Sequence, residues 1–313
     1  LPGAWTQDAA EMAPWLTEWR GRWTGETPLL LQPRTTEDVA RAVEICARHG
    51  TAIVTQGGGT GLVGGQIPYG EVLLSTRKLR TVRDVTPLDD AMTVEAGVTL
   101  LEAQELAKEK GRFFPLSLAA EGSATIGGVL ATNAGGNNTV RYGNARDLLM
   151  GIEVVLPDGS VVEGLRRLRK DNTGFALRQL FAGSEGTLGI ITAAVLRLFP
   201  RPRTTALALC AMTDEDAALA LFRRFRDRDE SSVRSFEYMS GAGMDFVTGL
   251  IEGATLPLAE RADHYVLVDL ASSRPDADLR GLMEAVLEEA LEAGEVLDAA
   301  LPESEAQAAN LWR

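Results

Sequence analysis

Apolar positions recur at helical spacing in "TTEDVARAVEICARH" (residues 35–49), at Val39, Val43 and Ile45 to Cys46. Thr35 is placed to cap this helix, Glu37 and Asp38 fall in its first turn, and Gly50 ends it. "TAIVT" (51–55) then reads as a short strand, as do "EVLLST" (71–76) and both halves of "TVRDVTPLDDAMTVEAG" (81–97) around a Pro-Leu-Asp-Asp turn. "TLLEAQELAKEKG" (99–111) predicts a helix capped by Thr99 with a lysine-rich end. "GIEVVLPDGSVVEG" (151–164) predicts two strands around Asp-Gly, and "GSEGTLGIITAAVLRLFP" (183–200) a glycine loop running into a strand. Past "PRPR" (200–203), read as a hinge, strands at 205–212, 232–239 and 264–272 alternate with helices at 213–229, 240–251 and 276–293. That stretch lacks glycine loops and reads as a separate α+β layer, giving predicted domains of 1–203 and 204–313.

The glycine segments interrupt this pattern and carry the candidate chemistry. "VTQGGGTGLVGGQIP" (54–68) places six glycines in nine positions, a costly run, because glycine loses more conformational freedom on ordering than any other residue. Gly59-Thr60-Gly61-Leu62-Val63-Gly64 satisfies G-x-G-x-x-G after a strand, but a dinucleotide fingerprint needs a helix opening on the last glycine. Pro68 stops any helix there, and no Gly-Lys-Ser/Thr follows for a nucleotide triphosphate loop. Two readings remain: a nest of backbone N–H donors suited to a diphosphate, aided by Thr60, or a flexible turn between strands.

"GSATIGGVLATNAGG" (122–136) puts Gly127 and Gly128 inside a short helix begun by Ser123 or Thr125. Each glycine costs about 1 kcal/mol against alanine there, which suits a backbone pressed on a neighbour, whether cofactor or sheet. Asn133 can offer an amide to a ring edge. The third loop, Gly183 to Gly189, is not a nucleophile elbow, because Ala182 stands where that motif needs glycine.

Composition narrows the partners. With 313 residues, 45% hydrophobic content and a formal charge of −13, the chain reads as a globular protein that does not take nucleic acid or an anionic membrane as its main partner. Cys46 and Cys210 are expected as buried free thiols, and two histidines leave little material for a metal site. No apolar run is long enough for a membrane span, no basic-then-apolar leader is visible, and the start at Leu1 reads as trimmed; a cytoplasmic location is the expectation. Trp5, Trp15, Trp19 and Trp23 are expected to cover the first domain, "RLRKDN" (167–172) to be a solvated turn, and His264 a satisfied surface residue.

Together "GGGTGLVGGQIP", "GSATIGGVLATNAGG", "VRYGNARDLLMGIEVVLPDGSVVEG", "DNTGFALRQLFAGSEGTLGIITAAVLRLFP" and "SFEYM" resemble the p-cresol methylhydroxylase/vanillyl-alcohol oxidase superfamily, in particular its D-2-hydroxy-acid dehydrogenases (D-lactate, glycolate and D-2-hydroxyglutarate enzymes). The likeness runs in order over roughly residues 30 to 240. It implies an α+β fold: a two-subdomain FAD-binding domain of p-cresol methylhydroxylase type, with FAD extended between the subdomains, followed by part of a cap. By position, Gln56 is counted among the cofactor-binding residues just before the loop, and Gly57, Gly58, Gly59, Thr60, Gly61 and Leu62 would cradle the pyrophosphate. Gly122, Ser123, Thr125, Gly127 and Gly128 would follow the phosphate and ribityl region. Asn133, Gly135, Gly136, Tyr142 and Gly143 would lie near the flavin, and Glu185, Gly186, Leu188, Gly189 and Ile190 would line the adenosine and ribityl side.

Many family members carry arginine where this chain has Gln56; glutamine followed by "VGG" is closer to the D-2-hydroxyglutarate branch. Members with covalent flavin use histidine or cysteine near these loops, and no matching position here holds either, so non-covalent FAD is expected. The family's substrate-clamping arginine, lysine and metal-ligand histidines lie past the region where Arg313 falls. The catalytic residues are therefore unassigned, and any divalent metal is expected on residues beyond this chain, whose cap reads as truncated. The resemblance implies oxidation of a D-2-hydroxy acid to the 2-oxo acid by hydride transfer to flavin N5. The electron acceptor is unnamed, with a quinone, flavoprotein or dye expected over NAD. A homodimer is allowed for, and an FAD-carrying subunit without substrate chemistry is the alternative.

Overall fold

The computed structural model describes residues 3–312; Leu1, Pro2 and Arg313, the residues at which the readings of the chain's ends were made, lie outside the described residues. The chain divides into two units, one of residues 3–136 and 143–200, the other of 137–142 and 201–312.

The first unit contains two main sheets. Strands β1 (Trp5–Thr6), β2 (Leu30–Leu31), β3 (Ile53–Gln56) and β4 (Val72–Ser75) form one in the order β1-β2-β4-β3, with β4 parallel to both β2 and β3. Strands that run parallel need a crossover, and the helix Thr36–Arg48 carries the chain from β2 to β3, on the two sides of β4. Thr35 caps that helix by accepting the Asp38 N–H at 3.1 Å. The second sheet is antiparallel: β5 (Val82–Thr86) and β6 (Ala91–Glu95) join β8 (Leu149–Val155), β9 (Val161–Gly164) and β10 (Ile190–Arg197) in the order β5-β6-β10-β8-β9. The short β7 (Arg112–Phe113) pairs with β11 (Phe199–Pro200) beside it.

One apolar cluster ties the two sheets together. Val39 and Val43 of the crossover helix, Leu74 of β4, and Val155 and Ile190 of β8 and β10 are packed in it. Each such side chain contributes about 1.5–3 kcal/mol on burial. The second strong helix, Leu100–Glu109, opens on a capping box in which Thr99 and Glu102 satisfy each other's backbone N–H.

The second unit is a four-stranded antiparallel sheet of β12 (Thr204–Met212), β13 (Val233–Ser240), β14 (His264–Ser272) and β15 (Val296–Ala300), ordered β13-β14-β12-β15. The alternation along β14 decides its two faces. Val266, Val268 and Leu270 meet Leu221, Phe225, Met283 and Val286 of the helices Glu215–Asp229 and Leu279–Glu292. Tyr265 and Leu267 meet Met244 and Leu311 of the helices Gly241–Leu250 and Glu305–Leu311. Cys46 and Cys210 are both buried and free; burial, with Asp298 nearby, pushes the Cys210 thiol up to about 12, which leaves it unreactive.

One expectation fails. It fails for three of the four tryptophans: Trp15 packs on Met12, Leu30 and Leu73, whereas Trp5, Trp19 and Trp23 are exposed, Trp19 at 80%. The cause is local, because Thr17 pairs with Thr24 across a tight turn in which Glu18 accepts the N–H groups of Arg20 and Arg22. That geometry lifts Trp19 onto the tip. The run 167–172 is a turn tied down by Arg167 on Asp84 and Arg169 on Asp90. His264 is half-buried, its Nδ1 2.6 Å from the Tyr238 hydroxyl.

Candidate functional site

The site grows from the end of β3. After Gln56 the chain enters the first glycine loop, and side chains hold that loop from behind. The Gln56 amide donates to the Trp15 and Gln66 carbonyls, both at 3.1 Å, and the Gln66 amide donates to the Gly61 carbonyl at 2.7 Å. Two of the glycines are required by contact. A Cβ on Gly57 would stand 2.4 Å from the Thr125 hydroxyl oxygen, and one on Gly58 would stand 2.1 Å from the Ser123 carbonyl oxygen. Among the described residues, the N–H groups of Gly58, Gly59, Thr60, Gly61 and Leu62 have no protein acceptor.

The second segment is locked to the sheet that carries β6. The N–H of Ile126 donates to Val98 O at 2.9 Å and that of Gly127 to Ala96 O at 2.8 Å, at the start of the helix Ile126–Ala131. Gly128 follows with an N–H that meets no acceptor among the described residues. Thr125, the N-cap residue, is buried, yet its hydroxyl has no hydrogen-bond partner. A buried hydroxyl left in that state costs about 1–3 kcal/mol unless a ligand or solvent completes it. The third loop docks on this helix, since Gly183 N–H donates to Leu130 O and Glu185 N–H to Ala131 O, each at 2.9 Å.

These three pieces line one cleft of about 480 Å³ within the first unit. The structure brings Gly57 to Leu62, Thr125, Gly127, Gly128, Glu185, Gly186, Gly189 and Ile190 to its wall. It does not bring the others there. Gln56 braces the loop from behind. Gly122 and Ser123 form an exposed turn, of which only the Ser123 carbonyl matters, as the surface against which Gly58 packs. Asn133 adopts a left-handed conformation (φ 49°) and accepts the Arg146 N–H at 2.9 Å. Gly135 is exposed, Gly136 packs on Ser117, and Gly143 turns against Asp147. Leu188 is exposed and off the wall, and Tyr142 belongs to the second unit.

Sequence reasoning missed Val63, Gly65 and Gln66 in the first loop, and Ala131, Thr132 and Ala134 in the second segment. Their signal was available, as continuation of segments already singled out. Thr55, at the start of the first segment, also lines the wall, as do Thr76 and Leu118, which no local pattern marks. Lysine and arginine are absent from the lining, and Glu185 is its single charged side chain. An anionic ligand here would be met by peptide dipoles. Among the described residues, no three His, Cys, Asp or Glu side chains are grouped to hold a metal ion.

Residues 27–164 match the family model for the FAD binding domain, and residues 201–313 that for the C-terminal domain of FAD linked oxidases. The two matched domain types follow one another along the chain, an FAD binding domain and then the C-terminal domain type of FAD linked oxidases. Over 313 residues, the chain is 38% identical to a mitochondrial D-2-hydroxyglutarate dehydrogenase of Bos taurus, matching 100% of the chain and 57% of that protein. It is 35% identical over 307 residues to a D-2-hydroxyglutarate dehydrogenase of Xanthomonas citri pv. viticola, matching 98% of the chain and 64% of that protein. The chain thus spans roughly three-fifths of the length of these relatives. Its fold matches a crystal structure of p-cresol methylhydroxylase with a TM-score of 0.75 at 18% identity, over 96% of the chain and 63% of that one. The expected α+β fold of that superfamily is therefore observed. The cytoplasmic expectation gains no support, because the bovine relative is named as mitochondrial. Among the described residues, no helix is long and apolar enough to cross a membrane.

Proposed function

We propose that this protein is an FAD-linked oxidase that oxidises a D-2-hydroxy acid, of the D-2-hydroxyglutarate or D-lactate class, to the 2-oxo acid. One observation carries the cofactor half of the reading: unpaired N–H groups of the first loop and the partnerless Thr125 hydroxyl share one cleft. That donor set fits a diphosphate, being rich in N–H groups, free of Cβ atoms where the loops touch, and spared any competing internal acceptor. The first unit is then the FAD-binding domain and the second belongs to the substrate domain. In this reading Gly58 to Leu62, Gly128 and Thr125 hold the diphosphate and ribityl chain, and Glu185, Gly186, Gly189 and Ile190 close the far side. When bound, FAD supplies at flavin N5 the acceptor for the hydride leaving the substrate carbon. The substrate class is supported by the names of the relatives, and an electron acceptor other than NAD by Pro68, which stops the helix that a dinucleotide fingerprint needs.

The test is spectroscopic. The protein equilibrated with FAD and freed of excess should keep a flavin absorbance near about 450 nm, which D-2-hydroxyglutarate or D-lactate bleaches anaerobically while the L-isomers do not. Retained flavin that no D-2-hydroxy acid bleaches would sink the substrate class and leave a carrier. Attachment is proposed to be non-covalent, supported by a cleft wall that includes neither histidine nor cysteine. Acid precipitation should accordingly release the yellow colour to the supernatant; colour left in the pellet contradicts it.

A further inference from the structure

Arg77 lies just after β4, and the motifs read above do not include it. Its Nε donates to the Gly57 carbonyl at 2.9 Å and its Nη2 to the Gly58 carbonyl at 2.7 Å. The guanidinium sits 4.5 Å from the centre of the Trp15 ring, and among the described residues it forms no ion pair. A planar fork that takes two successive carbonyls of one loop constrains two successive peptide planes.

The consequence follows from peptide geometry. In a trans peptide the C=O of one residue and the N–H of the next point in opposite directions. All peptide bonds described here are trans. Fixing Gly57 O and Gly58 O on Arg77 therefore turns the N–H groups of Gly58 and Gly59 away from it. Those are N–H groups without a protein acceptor, on residues of the cleft wall. Among the described residues, no other hydrogen bond holds these two carbonyls. Each of their peptide planes lies between glycines, for which both signs of φ are accessible, and Gly59 already sits at φ +70°. The Gln56 and Gln66 amides fasten the loop further on, at Gly61 and Gln66.

We infer that Arg77 is the positioning residue of the first loop, aiming the Gly58 and Gly59 N–H groups at an anionic ligand while itself staying behind the wall. This rests on the cleft being the FAD site. Its charge also lies on the far side of those peptides, where it reinforces their dipoles without touching the ligand.

Binding of FAD and of ADP, which retains the diphosphate and lacks the flavin, is measured by titration for the native protein, Arg77→Ala and Arg77→Lys, with melting temperatures of the ligand-free proteins alongside. Arg77→Ala should lose roughly 10- to 100-fold in affinity for both ligands by the same factor, at an unchanged melting temperature. Arg77→Lys, which keeps the charge and the stem over Trp15 but cannot grip two carbonyls at once, should recover only part of that loss. The inference is overturned if Arg77→Ala binds FAD like the native protein, or if FAD binding falls while ADP binding does not. Should the alanine variant melt early, the lysine variant decides, and native FAD affinity in it overturns the inference. A native protein that binds neither ligand removes the flavin reading itself, an outcome separate from those.

Discussion

Gly58→Ala should abolish FAD binding, lowering affinity by at least about 100-fold, while Gly122→Ala leaves it within about twofold. The two glycines lie in segments that read alike in the sequence, and their surroundings separate them. The added methyl at Gly58 would meet the Ser123 carbonyl oxygen at 2.1 Å and the Ala124 Cα at 3.0 Å, all of it backbone that cannot rotate aside. The first loop must then lift off the second segment, and the free N–H groups of Gly58 to Leu62 no longer converge with the Thr125 hydroxyl. At Gly122 the same methyl meets nothing within 4 Å. Equilibrium titration of flavin fluorescence with both variants checks the pair. Tight binding by Gly58→Ala would mean that the loop contact is not needed for the site.

The second large effect is expected on stability. Arg83 donates to Glu153 through Nη1 and Nη2, each at 3.0 Å, and to Glu95 at 3.2 Å. Both carboxylates are buried. Glu153 also accepts the hydroxyls of Thr36 at 2.6 Å and Thr192 at 2.8 Å, so the crossover helix and β10 meet at this group. Arg83→Met leaves two buried carboxylates without their cation, and should cost about 3 kcal/mol, the lower end for a broken buried pair because the arginine is partly exposed. The melting temperature should fall by roughly 6–12 °C.

The same group sets an acid limit. Burial opposes ionisation of Glu153, but hydrogen bonds from Arg83, Thr36 and Thr192 outweigh it and hold the carboxyl below its ordinary value. A carboxyl whose folded pKa is depressed contributes stability above its unfolded value of about 4.3 and loses it as pH falls through the folded value. Thermal melts below pH 5 should therefore show a shallower acid loss in Glu153→Gln than in the native protein. Parallel acid limbs would exclude Glu153 as the group responsible.

Much of the framework was legible because its signals are local. Thr35 and Thr99 cap the helices that their spacing predicted, and the apolar stretch 264–272 is the strand it was expected to be. The glycine loops announced themselves by composition, and Pro68 correctly excluded a helix after the first. The illegible parts depend on partners distant in sequence. Arg77 follows an ordinary strand, and its meaning lies 19 and 20 residues earlier, in two carbonyls. Gln56 looked like a ligand by its place before the glycines, whereas its amide is engaged by Trp15, 41 residues away. Leu118 and Thr76 reach the cleft only because the sheets fold together.

The route of the chain has a practical consequence. It leaves the first unit after Gly136, lends six residues to the second, and returns at Gly143. Among the lent residues, Arg141 donates to the Ala271 carbonyl. A gene fragment stopped at Pro200 would therefore carry a short helix shorn of its seat, and one begun at Arg201 would lack a piece that no tail extension restores. Dissecting this protein into independently expressed halves calls for swapping 137–142 to a short linker in one half and supplying those six residues as a peptide to the other.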